Sequence, residues 1–118
     1  MGGRRLEAIA RNLDLFLLLD THFHATAERA DGLLPIASFA ETEGTFVNRK
    51  NRVQRVRQAF VPPGEGREGW QLVAELIERL GGPSAPADAA AVFAEIAAGV
   101  PAFQGLSHTV IGELGRQL

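Results

Sequence analysis

The apolar run at residues 15–19, Leu-Phe-Leu-Leu-Leu, constrains the fold of this chain more than any other stretch. It has the length of a strand, and an unbroken apolar strand is typical of a parallel sheet that is covered on both faces. Residues 20–21, Asp-Thr, end the run with side chains that can cap a helix, which we expect at residues 25–30. Residues 32–36 predict a second strand, which its proline ends. The sequence therefore predicts an α/β protein that begins with a short βαβ unit, a fragment of a larger parallel sheet.

Composition narrows the class of protein. At 118 residues the chain has the size of one domain, and 46% hydrophobic with 22% charged residues is typical of soluble globular proteins. A net charge of −2 provides no general attraction to nucleic acid or anionic lipid. The absence of cysteine excludes disulfides and Cys-ligated iron–sulfur clusters from this chain. With no apolar run long enough for a membrane span and no signal core after the N-terminus, we expect a cytoplasmic chain without direct membrane insertion.

The first half, residues 1–61, is predicted to hold the βαβ-like segment, a loop and an extended arm. An amphipathic helix is expected at residues 4–12, before the first strand. Residues 38–48 predict an irregular loop with Gly44 as its pivot. Three residues of the arm that follows form one apolar register: Val53, Val56 and Phe60.

The second half, residues 62–118, is predicted to be a helical C-terminal tail of the same domain. Two prolines and two glycines within residues 62–66 interrupt any regular element. Gly81 fits the C′ position of the first helix, and Asp88 fits the N-cap of the second. Trp70 lies on the apolar face of the first helix, where we expect it to pack. Three helical segments are expected: residues 70–80, residues 88–98 and one turn at residues 110–114.

Two histidines follow the first predicted strand in the sequence Asp20-Thr21-His22-Phe23-His24. On a strand, His-x-His places both imidazoles on one face, and the pattern resembles the metal motif of the amidohydrolases. That motif requires a barrel of about 250 residues to supply the other ligands, and the only further histidine here is His108. We therefore predict surface histidines in a strand-to-helix turn and no metal site.

Charged residues cluster on both sides of the predicted loop. Glu41 and Glu43 are expected to be solvated or paired with arginine. Five cations within residues 49–57, called the basic arm below, suggest contact with phosphate or with an acidic partner: Arg49, Lys50, Arg52, Arg55 and Arg57. No aromatic residue lies between them, which disfavours binding to single-stranded nucleic acid. We therefore expect a solvated or protein-contacting arm and no nucleic-acid partner.

The same central region resembles a known family. Its pattern is Ala30-Asp31, Leu34-Pro35, Glu41-x-x-Gly44-Thr45-x-x-Asn48 and Arg52-Val53-Gln54, and this series is similar to a segment of the molybdopterin oxidoreductase superfamily. Within the superfamily, residues 92–96 and 101–107 resemble the C-terminal tail of the G subunit of NADH-quinone oxidoreductase, the respiratory complex I. The resemblance implies a non-catalytic C-terminal structural part of that large subunit.

Further expectations follow from this resemblance. No cofactor and no catalytic residue is implied in this chain itself, since the iron–sulfur clusters of the family belong to upstream domains. The implied partners are other peripheral-arm subunits of complex I or the missing upstream half of the G subunit. The implied location is peripheral, on the cytoplasmic face of the inner membrane through the complex.

Two alternatives remain open from the sequence. In one, the chain is a fragment of a molybdopterin-dependent enzyme in which Thr45, Asn48 and Arg52 border the pterin cofactor. The chain departs from the family pattern in two places near that cofactor: Ala25 replaces a glutamate, and Lys50-Asn51 replaces Glu-Gly. In the other alternative, the chain is a free-standing protein-interaction domain with a basic arm.

Overall fold

The computed structural model describes residues 8–118. The described residues contain five strands: β1 (Leu17–Asp20), β2 (Gly32–Pro35), β3 (Gly44–Val47), β4 (Arg52–Val56) and β5 (Arg116–Gln117). They also contain helices α1 (Gly69–Arg79), α2 (Ala89–Gly99) and α3 (His108–Ile111). Residues 8–10 are helical, whereas the N-terminal part of the helix predicted at residues 4–12 lies outside the described residues. The mixed α/β class predicted from the sequence is confirmed.

The strands β1 and β2 form a two-stranded parallel sheet, with Leu17 opposite Gly32 and Asp20 opposite Pro35. This pairing confirms the parallel unit predicted from the apolar run. The crossover between the strands differs from the prediction, because it contains only a 3-10 turn at Ala27–Arg29 and no α-helix. A parallel connection needs a dozen or more residues to hold a helix. The shorter segment between β1 and β2 has room for a single turn.

The strands β3 and β4 form an antiparallel hairpin, which corrects the prediction of an irregular loop over residues 38–48. Thr45 pairs with Arg55 and Val47 with Val53. Residues 38–43 are irregular as expected, but the chain becomes a strand at Gly44. The local sequence of β3 is too short to show strand periodicity, so its conformation depends on the ladder with β4.

The helices α1 and α2 confirm the two longer helical predictions, together with their caps. Gly81 has φ of +89° just after α1, the left-handed conformation that glycine adopts at a C′ position. The Asp88 carboxylate accepts a hydrogen bond from the Ala91 amide at 2.8 Å, as an N-cap residue does. The helix α3 begins two residues before the predicted turn, because the Ser107 hydroxyl caps it by accepting from the Val110 amide.

The core lies between the hairpin and the two C-terminal helices. Its buried members are Val53 of β4, Phe93 of α2 and Ile111 of α3, with Phe103 and Leu106 packed around them. The strand β5, which the sequence did not indicate, pairs antiparallel with β4 and closes this region. The predicted apolar register of the arm is wrong, because Val53 and Val56 are three residues apart in β4 and project to opposite faces. Phe60 lies beyond the strand and is 67% exposed.

The first helix and the parallel sheet bury much less than the core does. None of the residues of α1 is fully buried, although its apolar side chains follow helical spacing: Val73, Leu76, Ile77 and Leu80 just after its end. The residues of β1 are all half-buried. No helix in residues 8–118 combines the length and apolar character that a membrane span requires.

Candidate functional site

The three motif residues that were predicted to border a pterin lie on the β3–β4 hairpin, but they do not share one face. Paired residues of an antiparallel ladder project to the same side, and successive residues alternate. Thr45 therefore lies with Arg55 and Val53 on the face that α3 covers, whereas Phe46 and Gln54 lie on the other face. Asn48 and Arg52 continue the series on the Phe46 side. The three residues predicted to border a pterin thus divide between opposite faces of the hairpin.

Thr45 joins the hairpin to α3 through a buried histidine. Its hydroxyl is 2.9 Å from Nε2 of His108, which is only 7% exposed. The imidazole stacks on the ring of Phe93, with centroids 5.6 Å apart and an interplanar angle of 24°. The Nδ1 atom is buried without a hydrogen-bond partner among the described residues. Burial, and secondarily the charge of Arg55, lower the pKa of His108, so the imidazole is neutral at pH 7.

Asn48 shapes the turn of the hairpin. Its side-chain Oδ1 accepts hydrogen bonds from the amides of Lys50 at 2.8 Å and Arg52 at 3.1 Å. Its Nδ2 donates to Gln54 Oε1 at 3.3 Å. A side chain that bonds the backbone two residues ahead is a standard way for asparagine to stabilise a turn. The turn also contains Asn51 at φ of +57°, a left-handed conformation that asparagine tolerates better than most residues.

Arg52 attaches the C-terminal strand to the hairpin. Its Nε donates to the carbonyl of Leu114 at 2.9 Å, and its Nη2 donates to the carbonyl of Gly115 at 3.3 Å. Gly115 has φ of +73°, and a Cβ atom there would lie 2.5 Å from the carbonyl oxygen of Val53. Only glycine, which has no Cβ atom, allows position 115 to lie this close to the backbone of Val53. Arg52 and Gly115 therefore fix the end of the chain against β4.

Two further cations of the basic arm form ion pairs with carboxylates of the chain. Arg55 binds the carboxylate of Glu43 at 2.9 Å, and Arg57 binds that of Glu113. Glu41 accepts from the amide of Ser38 at 2.8 Å, so the loop is held by its own acids. The prediction of an arginine-paired loop is confirmed for Glu43. Arg49 and Lys50 are exposed.

The histidines after β1 lie on the surface in a turn, as predicted. The Nε2 atom of His24 is 3.0 Å from the carboxylate of Asp20, and this hydrogen bond lowers the pKa of Asp20. The ring of His22 lies 2.6 Å from the hydroxyl of Thr21. Residues 8–118 contain no group of three or more histidine, aspartate or glutamate side chains arranged to hold a metal ion.

An apolar groove of about 440 Å³ lies between α1 and α2. Its lining includes Trp70, Val73 and Ile77 from α1 and Val92 from α2. The indole N–H of Trp70 donates to the carboxylate of Glu68, which also accepts from the amide of Glu43 at 3.0 Å. Trp70 is half-buried, and through Glu68 it connects α1 to the entry of β3.

Sequence reasoning did not single out His108 or the C-terminal strand. The burial of His108 results from contacts with residues of β3 and α2, which are distant in sequence. The only local signal was Ser107, which can cap a helix that begins at His108.

A comparison with models of protein families shows which family the chain belongs to. The model of the family named molybdopterin oxidoreductase matches residues 3–79. The chain belongs to the molybdopterin oxidoreductase family. Its β1–β2 unit, hairpin and α1 all lie within the matched region.

Three curated members of the family show how far the similarity extends. The F420-dependent formate dehydrogenase 2 subunit alpha of Methanococcus maripaludis is 37% identical over 114 residues, which cover 95% of this chain and 17% of that protein. The NADPH-Fe(3+) oxidoreductase subunit alpha of Geobacter sulfurreducens is 36% identical over 107 residues, or 91% and 13%. The G subunit of the NADH-quinone oxidoreductase of Shewanella oneidensis is 42% identical over 77 residues, or 61% and 8%. The chain thus spans less than a fifth of the length of these relatives.

The C-terminal tail does not distinguish the G subunit of NADH-quinone oxidoreductase from other members of the family. An alignment that covers 95% of the chain includes residues 101–107, the stretch that resembles the G subunit. The formate dehydrogenase subunit alpha therefore shares this region with the chain.

Proposed function

We propose that the chain is a non-catalytic structural segment of the large subunit of a molybdopterin-family oxidoreductase of the formate dehydrogenase alpha type. The observation that carries the proposal is the bonding of the family motif. Each of the three residues bonds within the chain. Thr45 bonds His108 of α3, Asn48 bonds amides of the turn, and Arg52 bonds the carbonyls just before β5. In this proposal the motif positions the hairpin, and the formate chemistry is performed by other parts of the subunit.

A pterin cofactor fits this set of three residues poorly. A bound dinucleotide needs donors that converge on it, whereas Thr45 lies on the face of the hairpin opposite Asn48 and Arg52. The guanidinium of Arg52 has further N–H donors besides the two that bind carbonyls. A contact between Arg52 and a pterin therefore stays a prediction. We assign no step of a reaction to these residues.

The preference for the formate dehydrogenase alpha type over the G subunit of NADH-quinone oxidoreductase rests on the share of the chain that each alignment covers. Relatives of the formate dehydrogenase alpha type align with up to 95% of the chain. The alignment with the G subunit of NADH-quinone oxidoreductase covers 61% of the chain.

This G subunit is the second candidate, because the identity over the aligned part is higher, at 42%. In that case the chain would contribute packing to the peripheral arm of NADH-quinone oxidoreductase, on the cytoplasmic face of the inner membrane. Its partners would be the upstream part of the G subunit and neighbouring subunits of the arm.

A chimera tests the proposal directly. The segment of the Methanococcus maripaludis formate dehydrogenase 2 subunit alpha that this chain matches is replaced by this chain, and assembly, bound pterin and formate oxidation are measured. We expect an assembled enzyme that oxidises formate. A parallel chimera in the Shewanella oneidensis G subunit, assayed for assembly of the complex, favours the second candidate if it alone assembles.

Variants of the motif then separate a structural role from contact with the cofactor. In the formate dehydrogenase chimera, Thr45→Val, Asn48→Ala and Arg52→Ala are expected to lower the melting temperature while the pterin bound per folded subunit stays constant. A loss of pterin at unchanged melting temperature would contradict the proposal. Phe39→Ala, at an exposed position on the loop before β3, serves as the matched control.

A further inference from the structure

The parallel sheet has one edge whose backbone groups are unpaired among the described residues. On the outer side of β2, the amide of Arg67 donates to the carbonyl of Pro35 at 3.3 Å, and the amide of Ala37 donates to the carbonyl of Arg67 at 2.7 Å. Ile36 and Arg67 form a parallel bridge at this position. The outer edge of β2 is therefore occupied near its end, whereas β1 lies at the other edge of the sheet.

The hydrogen bonds at the two ends of β1 show which of its residues face outward. Phe16 directs both backbone groups toward β2, because its amide donates to the Asp31 carboxylate and its carbonyl accepts from the amides of Asp31 and Gly32. The carbonyl of Asp20 likewise accepts from the amide of Ile36 at 3.2 Å. In a strand the backbone groups alternate in direction from one residue to the next, while both groups of one residue point to the same side.

The residues between these ends follow from that alternation. Leu18 shares the inward direction of Phe16 and Asp20. The N–H and C=O groups of Leu17 and Leu19 therefore point away from β2, toward the open edge. An edge that presents such groups is a template for a further strand.

From this arrangement we infer that the open edge of β1 is completed by a parallel strand from the remainder of the large subunit, bonded to Leu17 and Leu19. This inference rests on the proposed function and names the contact through which the chain joins that subunit.

Three observations favour this occupant. The existing pair is parallel, and parallel sheets are found as larger sheets covered on both faces. The residues of β1 are half-buried and mostly leucine, so both sides of the strand have apolar surface left to cover. The chain spans less than a fifth of its relatives, whose remaining length contains ample sequence for further strands.

The edge also lacks the features that prevent strand addition. Proteins protect exposed edges with lysine, proline, bulges or inward-pointing charges. Leu17, Leu18 and Leu19 supply none of these, and the only charge in β1 is Asp20 at its end.

Association with a truncated relative tests the inference. The probe is the Methanococcus maripaludis formate dehydrogenase 2 subunit alpha without the segment that this chain matches, co-expressed with the tagged chain. Two variants both remove the leucine side chain, and only the proline also removes the outward N–H: Leu19→Pro and Leu19→Ala. Proline is tolerated where the missing N–H faces outward from an edge. We expect Leu19→Pro to bind the truncated subunit about tenfold more weakly than Leu19→Ala does.

Hydrogen exchange on the wild-type chain gives a second measurement that does not depend on the variant folding. In the isolated chain the amides of Leu17 and Leu19 should exchange rapidly, whereas that of Leu18 is protected. In the complex, all three should be protected. Binding with unchanged exchange at Leu17 and Leu19, and equal affinity of the two variants, would overturn the edge inference while leaving the proposed function intact.

Two other outcomes are decisive as well. If the wild-type chain does not bind the truncated subunit, the proposed function fails and the inference that rests on it fails too. The isolated chain could instead form a dimer that Leu19→Pro abolishes and Leu19→Ala retains. If the truncated subunit does not displace the second copy from that dimer, the occupant of the edge is a second copy of the chain. That result would overturn the assignment of the edge to the large subunit.

Discussion

Replacing Phe93 by alanine should strongly lower the stability of the chain. Phe93 is 3% exposed and lies at the centre of a core with only two other fully buried members among the described residues, Val53 and Ile111. Its ring meets Phe103 edge-on, with centroids 5.8 Å apart, and stacks on His108. The substitution therefore leaves a cavity between three elements and also removes two ring contacts.

The size of the effect follows from these contacts. Truncating a buried phenylalanine to alanine costs about 3–5 kcal/mol, and the cost rises with the cavity that remains. Because Phe93 is anchored by two rings, we expect about 4 kcal/mol, near the middle of that range. A domain of this length has a free energy of unfolding of about 6–18 kcal/mol. The loss is therefore a large fraction of the total.

Urea denaturation monitored by far-UV circular dichroism measures the change. With a slope of about 1–3 kcal/mol per molar urea, a loss of this size lowers the midpoint by about 2 M. Phe39→Ala is the matched control, since Phe39 is 82% exposed and its truncation should change stability by less than about 0.5 kcal/mol. A change below about 1 kcal/mol for Phe93→Ala, or equal effects of the two substitutions, would refute the assignment of the core.

Three further perturbations have defined outcomes. Acidification from pH 7.5 to 5.5 should lower the urea midpoint. Folding lowers the pKa of His108 below its unfolded value of about 6.5, so the unfolded chain binds more protons over this range. The dependence of the midpoint on pH should vanish in His108→Gln. Asp88→Ala should cost about 1 kcal/mol in the same denaturation assay, through loss of the cap bond to Ala91, while Asp88→Asn restores most of it. Gly115→Ala should lower the melting temperature more than Gly64→Ala does, because both glycines have positive φ but only Gly115 faces the carbonyl of Val53 at close range; equal shifts would contradict the contact.

The elements that the sequence predicted correctly are those with local signals. The apolar run at residues 15–19 identifies β1, since an unbroken apolar run of that length is typical of a buried strand. Gly81 and Asp88 mark the boundaries of α1 and α2 because cap residues act on the adjacent backbone. Each of these signals lies within or next to the element that it specifies.

The elements that were missed depend on distant partners. The strand β3 has four residues and begins with glycine, so it exists through its ladder with β4. The two residues of β5 carry no periodicity at all, and they form a strand because Arg52 and Val53 pair with them. The crossover helix was predicted from a capping signal, but the short connection between β1 and β2 permits only a 3-10 turn.

In the candidate site, too, the sequence identifies residues by local pattern but does not show their distant partners. The motif residues Thr45, Asn48 and Arg52 are visible in the sequence, and their spacing locates the hairpin. Their roles depend on the partners that folding brings to them: His108 for Thr45, and the carbonyls of Leu114 and Gly115 for Arg52. A family motif therefore identified the correct residues without showing what they bind.

The pairing of β5 with β4 has a consequence for the order in which the chain folds. The β3–β4 hairpin is local and can form in about 1–10 μs. The contact of Arg52 with the Leu114 carbonyl joins positions 62 residues apart, and closing a loop of that length costs about 4 kcal/mol in chain entropy. A two-residue strand recovers little of this cost alone, so β5 should dock only after α2 and α3 have shortened the loop. The end of the chain is then the last part to fold and the first to open.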